Sequence, residues 1–127
     1  MNFLKDIEKY DYIINILLLG KNSIGKSIFF QRLILDNYKS FKKLCNNYIP
    51  TIIIDFNIII IKFNDKIFEI QIWDTSGLEC YSAITEAYYK GKDIILIFYD
   101  AFDKESFEKV KMYYEETFKL NNKKYFF

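Results

Sequence analysis

Apolar residues in this chain gather in short runs parted by polar breaks, and the runs carry two different periods. Residues 12–19, YIINILLL, are nearly all apolar and stop at Gly20. A run of that length closed by glycine predicts a strand buried on both faces. Over 26–36, KSIFFQRLILD, the spacing is helical, with the inward stripe either Ile28, Leu33 and Leu35 or Phe29, Phe30 and Leu33. Residues 37–50 are polar, basic and without period, and read as a loop. TIIIDFNIIIIKF (51–63) and KIFEIQIW (66–73) are rich in β-branched residues and parted by Asn64 and Asp65, which predicts a hairpin. In its second arm Phe68, Ile70 and Ile72 alternate with Glu69 and Gln71, giving one dry face and one wetter face. Residues 82–90 predict a short helix ended by Gly91. DIILIFY (93–99) predicts another buried strand, and 104–119 a helix with Phe107, Val110, Tyr114 and Phe118 on one side. KKYFF (123–127) reads as the opening of one more strand.

Strand, helix, hairpin, helix, strand, helix is an α/β order. It predicts a mainly parallel sheet with helices on both faces and one antiparallel hairpin. The 127 residues allow one domain, residues 11–127, preceded by an N-terminal extension at 1–10.

Composition narrows the chemistry. Apolar residues make up 51% of the chain, enough for a core and too many for a disordered segment. The formal charge of +1 supplies no field for nucleic acid or an acidic membrane surface. There is no histidine, which excludes histidine-based triads and argues against a catalytic zinc site. Cys45 and Cys80 form no CxxC pair, so a reduced, cytoplasmic chain is expected. No basic segment and cleavage site mark a secretory signal, and the apolar run at 12–19 is less than half of a membrane span of about 20 residues. KKYFF carries no cysteine for prenylation, so stable membrane attachment is not expected.

The chemical signal lies where the first strand ends. GKNSIGKS (20–27) fits G-x-x-x-x-G-K-S/T between a buried strand and an amphipathic helix. Gly20 and Gly25 let the backbone around Asn22, Ser23 and Ile24 turn its N–H groups inward as an anion nest. The helix from Lys26 aims its positive end at the same point. Lys26 would reach the β- and γ-phosphates as a point charge, and the Ser27 hydroxyl is a hard oxygen ligand for Mg²⁺.

A loop of this kind serves kinases, ATPases and GTPases alike. WDTSG (73–77), at the end of the second hairpin arm, separates them. Asp74 would hold a Mg²⁺ water, the Gly77 N–H would approach the γ-phosphate, and Thr51 would add a third metal contact when a γ-phosphate draws its loop in. WDTSG after a hairpin and the absence of an arginine-rich lid argue against a small kinase.

GKNSIGKS, YIPTIIIDF, IQIWDTSGLE, ITEAYYKG and IFYDAFDKESF together resemble a Rab-type member of the Ras-like small GTPases, over roughly residues 10–127. The resemblance implies a G domain that binds GTP or GDP with Mg²⁺ and works as a nucleotide-dependent switch in vesicle trafficking, with Rab-type effectors or regulators as partners. It also implies an effector surface at Ile54, Phe56, Trp73 and Tyr88.

The pattern is broken in several places. The family carries glutamine after the DxxG glycine, where it orients the attacking water; this chain has Leu78, and slow or impaired hydrolysis is expected. Asn22 and Ser23 stand where smaller residues are common, Ile53 replaces glycine and Ser76 replaces alanine. The longer loop between Ser27 and Thr51 leaves either Phe41 or Tyr38 to stack on the base. Neither the NKxD nor the SAK motif that reads guanine is present, so the domain is expected to be C-terminally incomplete, with DIILIFY as an exposed sheet edge and poor discrimination of GTP from ATP. The alternative to a slow switch is a non-catalytic interaction module that keeps the switch surface and binds nucleotide weakly.

Overall fold

A computed structural model of the chain describes residues 9–35, 51–52, 54–77 and 89–121. Its elements in chain order are β1 (Tyr12–Leu19), α1 (Lys26–Ile34), β2 (Ile54–Phe63), β3 (Lys66–Thr75), β4 (Ile94–Ile97) and α2 (Lys104–Asn121). They form a four-stranded sheet in the order β2-β3-β1-β4. β1 runs parallel to both β3 and β4, while β2 and β3 are antiparallel. The hairpin turns on Asn64 and Asp65, both at positive φ (48° and 57°). Two left-handed residues match the twist of the flanking strands, and asparagine and aspartate tolerate that conformation.

The central strand makes two cores. Leu18 packs with Phe30 of α1, Ile59 and Ile72 on one face. Leu17 and Leu19 point the other way, to Tyr89 and to Tyr113 of α2. An apolar run with both faces covered is what β1 requires.

The predicted inward stripes need correction in both helices. In α1 the buried apolar residue is Phe30, with Ile34 packed beside it, whereas Phe29 and Leu33 are nearly half exposed. In α2 the buried positions are Ser106, Tyr113 and Thr117, and the predicted Phe107 and Phe118 face outward. The cause lies at the start of α2. Asp103 accepts the Ser106 amide at 3.2 Å, and the Ser106 hydroxyl accepts the Asp100 amide at 2.9 Å. These bonds hold Ser106 inward and set the rotation of all that follows. On β3, Glu69 is buried and takes the Gln71 side-chain amide at 2.6 Å, so the wetter face is closed by a polar pair there.

Candidate functional site

The strand register brings the predicted residues together. Asp74 pairs with Leu18, two positions before Gly20, so the carboxyl ends of β1 and β3 open into one corner. Gly20, Asn22, Ser23 and Ile24 form the turn that leaves β1, and Gly25 is the N-cap of α1 at φ 100°. That left-handed cap gives α1 a first turn with no side-chain cap and no acidic residue. Its leading amides lack intrahelical acceptors by geometry, and its dipole favours an anion there.

Lys26 and Asp74 are both buried, at 4% and 2% exposure. The Lys26 ammonium donates to the carbonyls of Gly20 (2.8 Å) and Lys21 (3.0 Å). Burial draws its pKa down to about 8, with the Asp74 charge opposing. Asp74 is pushed above the usual carboxylate range by burial, against the Ser27 hydroxyl, the Lys26 charge and the Thr51 hydroxyl. Its Oδ2 is bonded to Ser27 Oγ and lies 3.3 Å from Thr51 Oγ1, and the two hydroxyl oxygens are 3.0 Å apart. Its Oδ1 is buried and no hydrogen-bond donor among the described residues reaches it. An orphaned carboxylate oxygen beside two hydroxyls is a hard donor set, and it fits Mg²⁺ with its water.

Gly77 closes the corner. It sits at φ 71°, and a Cβ there would lie 2.4 Å from the Asn22 nitrogen, so only glycine fits so close to the turn. Ser23 also adopts positive φ, 61°, without being glycine. The effector candidates divide. Phe56 and Trp73 are register partners with ring centroids 4.5 Å apart, and Ile54 pairs with Thr75 at the same end of the hairpin. Leu78 and Tyr88 lie outside the described residues, as do Ile53, Tyr38, Phe41, most of the predicted 82–90 helix and KKYFF.

Two features are absent from the sequence reading. The Lys92 ammonium stands 3.9 Å from the Trp73 ring centroid, a cation–π contact on the predicted effector residue. Lys21, inside the loop, contacts Asp103 at 2.9 Å and Glu105 at 2.7 Å. The two carboxylates, Asp103 first, hold its ammonium above the usual lysine range. No spacing rule links residues more than 80 positions apart, so only the fold exposes that contact.

A glycine loop joining a parallel strand to a helix, faced by an aspartate from the neighbouring parallel strand, defines a phosphate-loop nucleotide-binding domain. The profile of the Ras family matches residues 15–127. GTP-binding protein YPT1 of Saccharomyces cerevisiae (strain ATCC 204508 / S288c) is 42% identical over 108 residues, covering 85% of this chain and 50% of the relative. GTP-binding protein YPTM1 of Zea mays is 40% identical over 114 residues, 90% of this chain and 52% of the relative. GTP-binding protein YPTM2 of Zea mays is 40% identical over 108 residues, again 85% and 50%. The chain belongs to the Ras family, as a Rab-type small GTPase domain. It spans about half the length of the curated relatives it matches.

Proposed function

We propose that residues 11–127 are a partial G domain that binds the triphosphate of a guanine nucleotide and acts as a slow switch in vesicle trafficking. The observation that carries this reading is the meeting of Lys26, Ser27, Thr51 and Asp74 in one buried corner beside the Gly20–Gly25 turn. The turn and the start of α1 would bind phosphate oxygens through Asn22–Ser27, and Lys26 would exchange its two carbonyl partners for them. Mg²⁺, when bound, would be held by the Ser27 and Thr51 hydroxyls and through water by Asp74, and would neutralise phosphate charge. Gly77 would offer its amide to the γ-phosphate. Leu78 has no atom that hydrogen-bonds water, so hydrolysis would be slow; the hydrolysis rate of the Leu78→Gln variant is expected to exceed that of the chain itself by ten-fold or more, and equal rates would reject the role. Ile54, Phe56, Trp73 and Tyr88 would form the surface read by Rab-type effectors or regulators. The part of the nucleotide that the corner at Gly20–Ser27, Thr51 and Asp74 would hold is its phosphates with Mg²⁺. Among the described residues no helix is long and apolar enough to cross a membrane. A cytoplasmic location is part of the proposal.

The competing reading is an interaction module with little nucleotide binding. The bonding of Ser27, Thr51 and Asp74 to one another favours it, because a ligand must displace those contacts. Titration with a fluorescent GTP analogue in Mg²⁺, with ATP as competitor, separates the two. Binding that ATP competes away supports phosphate-led recognition. No detectable binding selects the interaction module.

A further inference from the structure

We propose that Lys21 is a positioning residue: its ammonium, held between the Asp103 and Glu105 carboxylates, ties the first turn of the phosphate loop to the start of α2 and keeps the cradle in its binding shape. The effect on nucleotide rests on the reading above; the effect on the loop does not.

Lys21 works at a junction. Its side chain leaves the loop and reaches carboxylates from an element 82 and 84 residues away. Its own carbonyl accepts the buried Lys26 ammonium at 3.0 Å. Its backbone also lies against Gly77, where an added Cβ would be 2.6 Å from the Lys21 carbonyl carbon. One residue therefore connects the start of α2, the phosphate lysine and the DTSG segment.

The anchor is itself fixed. Asp103 receives the Ser106 amide as the cap of α2, and the buried Ser106 hydroxyl lies 2.7 Å from the Asp103 carbonyl oxygen. Glu105 is steadied through its other oxygen by Lys109 at 2.9 Å. A lone surface ion pair contributes little, because two long side chains must be ordered to make it. Here the carboxylates are already ordered by a cap and a second lysine, and one cation serves both. The same contacts commit the Lys21 charge to α2, away from the phosphate corner, so its part is to shape the loop.

The test uses the full chain, Lys21→Met, the double variant Asp103→Asn with Glu105→Gln, and Lys21→Arg. Methionine keeps an apolar stem and asparagine keeps the helix cap. Amide hydrogen exchange across residues 20–25 is measured without nucleotide, beside urea denaturation and titration with the fluorescent GTP analogue in Mg²⁺. Exchange in the loop is expected to rise about 3- to 10-fold in Lys21→Met and in the double variant, to be restored in Lys21→Arg, and to change without a matching loss of global stability. Analogue affinity should fall by a similar factor of about 3 to 10. Unchanged loop exchange in both variants overturns the proposal. So does tighter analogue binding by the double variant, which would make Lys21 a phosphate ligand restrained by the carboxylates. If the unaltered chain binds no analogue, the nucleotide reading fails and the exchange result still decides the role of Lys21.

Discussion

Leu18 and Leu96 are neighbours in register on adjacent parallel strands, yet one is 1% exposed and the other 36%. Leu18 lies under Phe30, Ile59 and Ile72. Leu96 and Ile94 extend the same face of the sheet beyond the reach of α1 and remain open. Their strands read alike in sequence, as short apolar runs. Burial follows from the element above a residue, and α1 covers β1 and reaches Phe98 just past β4 but leaves Ile94 and Leu96 open. The phosphate corner is built at the covered end of this gradient, where Lys26 and Asp74 lose water and gain electrostatic weight.

The largest effect should come from the buried leucine. Leu18→Ala is expected to destabilise the chain by about 3 kcal/mol, since the void is bordered by three buried side chains, Phe30, Ile59 and Ile72. Leu96→Ala should cost under about 1 kcal/mol. Urea denaturation of both variants measures the contrast, and equal losses would remove it.

The buried corner should also respond to pH. Without nucleotide or Mg²⁺, the Lys26 pKa of about 8 lies below its unfolded value of 10.5. Between those limits the unfolded chain binds more protons than the folded one, so stability should rise with pH from about 8 to 10.5. At about 1.4 kcal/mol per pH unit the contribution amounts to roughly 2–3 kcal/mol. Lys26→Met should flatten that rise in urea midpoints taken across the range. A slope that survives the substitution would assign the titration elsewhere.

Within the loop, Ser23 holds a left-handed conformation that glycine adopts without cost. Ser23→Gly is expected to raise stability by up to about 1 kcal/mol, the strain relieved exceeding the entropy added to the unfolded chain. A lower urea midpoint would mean that the Ser23 hydroxyl, 3.5 Å from Asn22 Oδ1, steadies the turn more than its backbone strains it.

These particulars show what the sequence makes legible. β1 follows the predicted bounds, and the hairpin turns on Asn64 and Asp65, because each rests on local chemistry. α1 begins at Lys26 for the same reason, although it stops two residues short of the predicted end. The loop, Thr51, Asp74 and Gly77 stand out in the sequence because each motif demands particular residue types, and the fold brings them to one corner. The rotation of α2 does not, since a serine whose hydroxyl bonds the backbone of Asp100 and Asp103 outweighs the aromatic spacing of Phe107 and Phe118. Nor do the contacts of Lys21 and Lys92, which depend on two distant segments meeting at a few ångströms.

The smallest expected change in stability sharpens the comparison most. Among the described residues β4 pairs on one side alone, with β1, and its open face carries Ile94 and Leu96. A flat apolar edge is a template for pairing with another chain, and a lysine on such an edge opposes it by charge while its aliphatic stem still covers the sheet. Leu96→Lys is therefore expected to shift stability by less than about 0.5 kcal/mol and to raise the concentration at which light scattering detects aggregates. If Leu96→Lys instead cost as much as Leu18→Ala, the face of β4 would be covered in solution, and the two leucines would be equivalent after all.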